Sequence, residues 1–542
     1  MTKAKFHTLS TILLKRNAEV DSLSGLLGDI GFDDWRAAAS SLERLINRFG
    51  AQKRLANALP TILELLEISA SPDRALLNLE ILMDRSDNQI ELLGLLLQMP
   101  RMLDMLFTIF AGSQFLTDIL LRNPEYVRQL TDTRALARPK SRDRFFQEAL
   151  AAMQGTTSYT GRLDALRLYQ REQLWRIGSS DLCNLSALQT VTAQLSYLAI
   201  GLIRAGLQVA SDEVNIPIEG FTVLALGKLG GRELNYSSDI DLIFISDGRD
   251  QPFQKLGQKL IEALNKFTGE GFLYRTDMRL RPWGSTGKLV PTLEENLVYL
   301  QNNARLWEKQ AMLKVRIMAG DRKPGEAFYR GVRPMLFKLP SDELRESVVS
   351  MKQQIEKKLN RKEWGEVKNG RGSIRDIEFT VQYLQLLNGS ESDDIRSRNS
   401  LDAMGRLAAN GYLSMSDYRT LSEGYIFLRT IEHHLQIMHY QQTHQLPGKK
   451  REIAFLARRL GFEGEGGAAA FLERYEQHRA AIRTIYERIL KIASVEDVET
   501  DKPPSTIVEL VPPEEADKKR LLTEINENQQ VRVQADELEP GI

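Results

Sequence analysis

GKLGGRELNYSSDIDLIF, residues 227–244, decides how this chain is read. Two glycines, Gly230 and Gly231, are followed by Ser237 and Ser238, then by Asp239 and Asp241 with one isoleucine between them. The run then continues into Leu-Ile-Phe, the pattern of a buried strand. A carboxylate buried without a cationic partner is costly, so something must neutralise this pair.

The flanking sequence sets the motif in a small α/β unit. FTVLAL (221–226) and SDIDLIFIS (238–246) are short apolar runs, and GFLYRTDMRLRPW (271–283) is a third with alternating character. QKLGQKLIEALNKFTG, between the second and third runs, carries a helical pattern. Alternate residues of a strand share a face, which sets Asp239 beside Asp241 and aligns Arg275, Asp277, Arg279 and Arg281. If the two strands are neighbours, Asp239, Asp241 and Asp277 converge.

Three converging carboxylates repel unless cations sit among them, and hard oxygen ligands of this kind select Mg²⁺. Two such ions clamp the attacking and leaving oxygens of a phosphoryl displacement. Gly230 and Gly231 lack a Cβ and can bring backbone N–H groups close to phosphates, while Ser237 and Ser238 add hydroxyl donors. Arg279 and Arg281 carry forked cations suited to phosphate oxygens. Each element alone has a bland reading: a chance D-x-D, an ordinary turn, or an edge strand kept soluble by charge. Together they point to catalysis.

The rest of the chain reads as helix, making the fold class α+β: a mainly helical protein with an embedded sheet domain and a C-terminal helical bundle. The helical region spans 1–215, the catalytic domain 216–335 and the bundle 336–495. Ser71-Pro72-Asp73 is a helix start, and Leu163, Leu166, Tyr169 and Leu174 give the segment 162–182 a core-facing stripe. LWEKQAMLKVRIMAGD (306–321) is also read as helical, with Glu308, Lys314 and Arg316 either reaching substrate or forming ion pairs. Arg371, Arg375 and Glu378, at the start of the next helix but one, are read as a packed salt-bridge network, with contact to a substrate loop as the functional alternative. From Glu496 the composition turns acidic, with 13 acidic against 5 basic residues and two Pro-Pro pairs, so 496–542 is expected to be a disordered tail.

Bulk composition excludes other classes. Lys+Arg and Asp+Glu both number 72, which argues against a nucleic-acid partner. The single cysteine, Cys183, forbids an internal disulfide or a thiolate zinc cluster. His433, His434, His439 and His444 lack the i, i+4 spacing of a helical zinc pair. The apolar segment 90–110 is broken by Glu91, Pro100, Arg101 and Asp104, so no membrane span is expected and a cytoplasmic location follows.

The order Gly-Gly, Asp-x-Asp, third Asp resembles the polymerase-β-type nucleotidyltransferase superfamily. More closely, GKLGGRELNYSSDIDLIF, LYRTDMRLRPWGSTGKLV, WEKQAMLKVRIMAGD and NGRGSIRDIEFTVQYLQL resemble the glutamine synthetase adenylyltransferase/adenylyl-removing enzyme family over most of residues 60–490. The resemblance implies a polymerase-β-type sheet domain in which Asp239, Asp241 and Asp277 hold two Mg²⁺ ions. Gly230, Gly231, Ser237 and Ser238 would cradle phosphates, and Arg279 and Arg281 would balance charge. It further implies ATP, or ADP and phosphate, as substrates, glutamine synthetase as acceptor, and a PII signal protein as a possible regulator. The motif occurs once, whereas the family's usual member has two modules, and its wording is closer to the N-terminal adenylyl-removing half. Phosphorolytic removal of AMP is therefore the favoured direction. The alternatives are a nucleotidyltransferase for another protein acceptor, such as a uridylyltransferase, and a non-catalytic module that binds glutamine synthetase or PII protein.

Overall fold

The computed structural model describes residues 3–15, 20–49, 53–248, 250–337, 340–359, 364–464 and 466–492; the expected acidic tail from Glu496 lies outside them. Helices fill the chain before residue 215. Pro72 opens the helix Pro72–Arg85, its missing N–H costing nothing in a first turn. Tyr159–Leu182 is capped by the Ser158 hydroxyl, which accepts from the Gly161 N–H, and it buries Leu163, Leu166, Tyr169 and Leu174. The apolar segment forms two helices, Gln89–Gln98 and Pro100–Gly112, bent by 106° at Pro100. Among the described residues no single helix is long and apolar enough to cross a membrane.

Among the described residues four strands follow: β1 (Phe221–Ala225), β2 (Ile240–Ser246), β3 (Thr276–Asp277) and β4 (Arg316–Gly320). Their order is β3-β2-β1-β4; β1 runs antiparallel to β2 and β4, and β2 is parallel to β3. Both faces of the sheet are covered. Phe221, Val223, Ala225, Leu242 and Phe244 pack into the core formed with the N-terminal helices. Leu224, Ile243 and Ile245 pack into a second core with the C-terminal helices. Burial on both faces explains why β1 and β2 read as continuous rather than alternating apolar runs.

Two sequence readings are corrected here. The run 271–283 is a strand only at Thr276–Asp277, because Pro282 cannot donate to a ladder and Trp283 and Gly284 take positive φ of 63° and 58°. Arg279 and Arg281 therefore do not share a strand face with Asp277. The segment 306–321 is not one helix: Leu306–Ala311 ends in a 3₁₀ turn at Met312–Lys314, and Arg316–Gly320 becomes β4. Tertiary pairing with β1 overrides the helical periodicity of this short segment.

The helices Ser341–Leu359, Ile374–Asn388, Ser400–Ala409, Met415–His439, Lys450–Arg459 and Gly467–Ile489 complete the fold. Buried ion pairs tie them together. Lys352 meets Asp376 at 2.5 Å and Arg483 meets Glu356 at 2.8 Å; of the residues expected to form a network, Arg375 pairs with Glu378 at 3.4 Å and the half-exposed Arg371 reaches Glu487 at 3.2 Å.

Candidate active site

Three local features bring the acidic residues together. Asp239 stands immediately before β2 and Asp241 lies within it. The parallel pairing of β2 with β3 sets Asp277 opposite Asp241 in register. Gly227, the first residue after the β1 run, then turns the chain with φ +54°, and a Cβ there would strike the Asp241 carboxylate. All three carboxylates and Gly227 line one cleft of about 460 Å³.

The three acids are not equivalent. Asp239 accepts a hydrogen bond from Arg275 Nε at 2.6 Å, and the same guanidinium donates to the Ser237 carbonyl at 2.9 Å. Asp277 accepts from the Arg279 backbone N–H at 2.9 Å and from its side chain, and this pairing lowers the Asp277 pKa. The Asp241 carboxylate has no hydrogen-bond or ion-pair partner among the described residues, while its backbone carbonyl accepts from the Leu226 N–H at 2.9 Å. Burial first, then the charges of Asp277 and Asp239, push its pKa up to about 6. Lys368 and Arg279 offset this only in part, and the two neighbouring carboxylates have exposed arginine partners, Arg275 at 44% and Arg279 at 81%.

Among the described residues no three His, Cys, Asp or Glu side chains stand at metal-ligand spacing. Asp239 and Asp277 are drawn to their arginines instead. The chemistry of the donor set nevertheless fits a hard divalent cation: three carboxylates, one without a direct ion pair among the described residues and two paired with exposed arginines.

The same cleft also carries basic residues. Lys228, Lys314, Lys368 and Arg375 line it with Arg279. Lys314 is held by Glu233 at 2.8 Å, and Arg375 pairs with Glu378 at 3.4 Å. Lys228 meets Glu432 at 2.8 Å, yet burial pushes its pKa down to about 7. Trp307, 39% exposed, presents an aromatic ring to the same cleft.

Of the residues expected from sequence, Asp239, Asp241, Asp277, Ser238 and Arg279 line this cleft. Gly230, Gly231, Ser237 and Arg281 are not brought to it. A methyl at Gly230 would run into the Lys314 carbonyl oxygen, so its glycine is explained by close backbone packing. Gly231 is buried against Glu233 and the Arg398 carbonyl. The buried Ser237 hydroxyl donates to the Tyr440 carbonyl at 3.0 Å. Arg281 donates to the carbonyls of Met278, Ser285 and Gly287, holding the turn after β3. Glu308 caps its own helix and accepts from Tyr299 at 2.6 Å. Gly227 and Lys228 were missed although they open the motif; a glycine directly after a buried strand was the available signal. Lys368 and Trp307 carry no local signal.

With the geometry in place, comparison with known proteins is informative. Residues 103–331 match the family model of glutamate-ammonia ligase adenylyltransferase, and residues 349–490 match that of the GlnD PII-uridylyltransferase. The bifunctional glutamine synthetase adenylyltransferase/adenylyl-removing enzyme of Streptomyces avermitilis is 33% identical over 479 residues, covering 85% of this chain and 46% of that protein. The corresponding enzyme of Hahella chejuensis is 34% identical over 390 residues, 68% of this chain and 40% of that protein. That of Streptomyces coelicolor is 31% identical over 484 residues, with coverages of 85% and 46%. The chain spans about half the length of these curated relatives. The resemblance expected from the motifs therefore holds at the level of the family.

Proposed function

From its likeness to the glutamine synthetase adenylyltransferase/adenylyl-removing enzymes, we propose that this chain is a nucleotidyltransferase acting on a tyrosine of glutamine synthetase, with phosphorolytic removal of AMP as its favoured direction. The observation that carries the reading is Asp241, without a direct ion pair and in register with Asp277, in a cleft also lined by lysines and arginines. Such a cleft suits a group that is itself anionic and arrives with cations.

In removal, a phosphate oxygen attacks the α-phosphorus of the AMP–tyrosine linkage. The bond to the tyrosine oxygen breaks, the phenolate takes up a proton, and ADP is released. Transfer in the other sense has the tyrosine hydroxyl attack the α-phosphorus of ATP, releasing pyrophosphate and a proton. Asp239, Asp241 and Asp277 would hold Mg²⁺, which would supply charge neutralisation at the reacting phosphoryl group. Lys228, Lys368 and Arg375 are placed to bind phosphate oxygens, and Arg279 balances charge at the mouth. Trp307 offers a flat face for a purine.

A second reading is favoured by the uridylyltransferase match over residues 349–490: the same cleft modifying a PII-type signal protein with UMP. The test is mass spectrometry of acceptor proteins with the purified chain and Mg²⁺. Loss of AMP from adenylylated glutamine synthetase, with phosphate consumed and ADP formed, is the expected result. Mass gain on unmodified glutamine synthetase with ATP would reverse the direction, and mass gain on a PII-type protein with UTP would establish the second reading. Silence in every arm from folded protein would leave a non-catalytic binding module.

A further inference from the structure

A second cleft, of about 670 Å³, opens along β4 and shares no lining residue with the candidate active site. Its wall is built of arginines. Arg232, Arg316 and Arg398 reach it from three distant parts of the chain, and Arg142, Arg204 and Arg322 complete it. The two acids present are already engaged: Asp143 pairs with Arg204, and Glu326 with Arg322 at 3.2 Å.

Arg316 and Arg398 have no carboxylate partner among the described residues. Arg316 donates only through Nε, to the Gly230 carbonyl at 2.8 Å, leaving both terminal nitrogens of its fork unbonded. Arg398 likewise donates through Nε to the Val315 carbonyl at 2.6 Å, with its guanidinium over the Tyr329 ring at 5.0 Å. Burial and the neighbouring charges of Arg232 and Arg398 push the Arg316 pKa down to about 9. Like charges gathered in a partly buried cleft are costly unless an anion completes them.

We propose that this cleft binds a phosphate-bearing small molecule, with Arg316 and Arg398 gripping its phosphate oxygens. Both guanidiniums are fixed through Nε to backbone carbonyls, which leaves each fork pre-set for two oxygens. The cleft also has room for a nucleotide-sized ligand. Its floor is shared with the active site. Gly230 belongs to the same turn as Gly227 and Lys228, and Val315 follows Lys314, so the two clefts lie on either side of the segments 227–231 and 314–316. The inference does not depend on which acceptor the active site serves.

The test uses the full chain without divalent cations and reads binding rather than turnover. Inorganic pyrophosphate is titrated calorimetrically into a Lys368→Gln/Arg375→Gln background, which weakens phosphate binding in the active cleft. Adding Arg316→Gln and Arg398→Gln should lower the affinity at least tenfold. Because a buried arginine variant can misfold, a second measurement uses the unmutated protein: pyrophosphate should slow phenylglyoxal modification of Arg316 and Arg398, mapped by peptide mass, at least fivefold. Succinate, which carries two carboxylates, should not. Unprotected arginines, an unchanged affinity in the folded variant, or equal protection by succinate would each overturn the assignment.

Discussion

The two clefts flank the same pair of segments and arrange charge differently: the first mixes clustered carboxylates with lysines and arginines, the second gathers arginines. In one, the Asp241 carboxylate stands with two further carboxylates and makes no direct ion pair among the described residues, Lys368 and Arg279 offsetting it only in part. In the other, Arg316 and Arg398 stand among arginines with no free acid at hand. Packing alone does not account for either, since burial of like charges opposes folding. Each cleft therefore stores a cost that a ligand of the opposite sign relieves: cations for the first, an anion for the second.

The largest expected effect falls on the acidic cleft. Asp241→Asn keeps the shape and removes the central carboxylate charge, and it should reduce the proposed AMP removal or transfer by about 10³-fold or more. Mg²⁺ should raise the melting temperature of the unmutated chain and not that of the variant, a readout independent of turnover. Pyrophosphate protection of Arg316 should be unaffected. If the variant lost that protection too, the two clefts would not be separate sites.

Gly230→Ala attacks the wall between them. The added methyl meets the Lys314 carbonyl oxygen, a backbone atom that cannot step aside without moving Arg316. A loss of about 3 kcal/mol of stability is expected in denaturant unfolding. Unchanged stability with weakened phosphate binding would restore the cradle role that sequence assigns to Gly230.

Arg316→Met should move stability in the other direction. Removing a buried cation that sits among like charges should leave stability unchanged or raise it by about 1 kcal/mol in low-salt buffer. A fall in melting temperature would make Arg316 a structural residue and weaken the case for an anion site.

How far the sequence foretold these clefts follows from how local their parts are. β1 and β2 were readable because their apolar runs are short and bounded by glycine and serine, and Asp239 and Asp241 came with them. Asp277 was placed correctly opposite Asp241, although the strand around it shrank to two residues at a proline-containing turn. Arg281 followed the expected periodicity but was recruited to hold that turn. Lys368 and Trp307 join the acidic cleft through helix docking, which no periodicity specifies. The arginine cleft was illegible because Arg232, Arg316 and Arg398 lie far apart in sequence, and because the segment holding Arg316 was read as helix rather than as β4.

The smallest expected effect separates the clefts by pH. Lys228 lines the acidic cleft with its pKa pushed down to about 7 by burial, against the pull of Glu432. It is a cation below that pH and loses its charge above it. Arg316, pushed down only to about 9, stays charged throughout. Raising the pH from 6 to 8 should therefore weaken phosphate binding in the acidic cleft by about threefold, since one partly screened charge is withdrawn. Binding in the arginine cleft should change little over the same range. Calorimetry on the Arg316→Gln/Arg398→Gln protein would isolate the first cleft, and the Lys368→Gln/Arg375→Gln protein the second. Lys228→Met in the first should make the pH dependence shallower, with Asp241, whose pKa is pushed up to about 6, and the phosphate's own second ionisation left to titrate. A slope as steep as in the unsubstituted protein would assign the titration to groups other than Lys228, and a slope in the second cleft steeper than the phosphate's own ionisation gives would remove the distinction between the two.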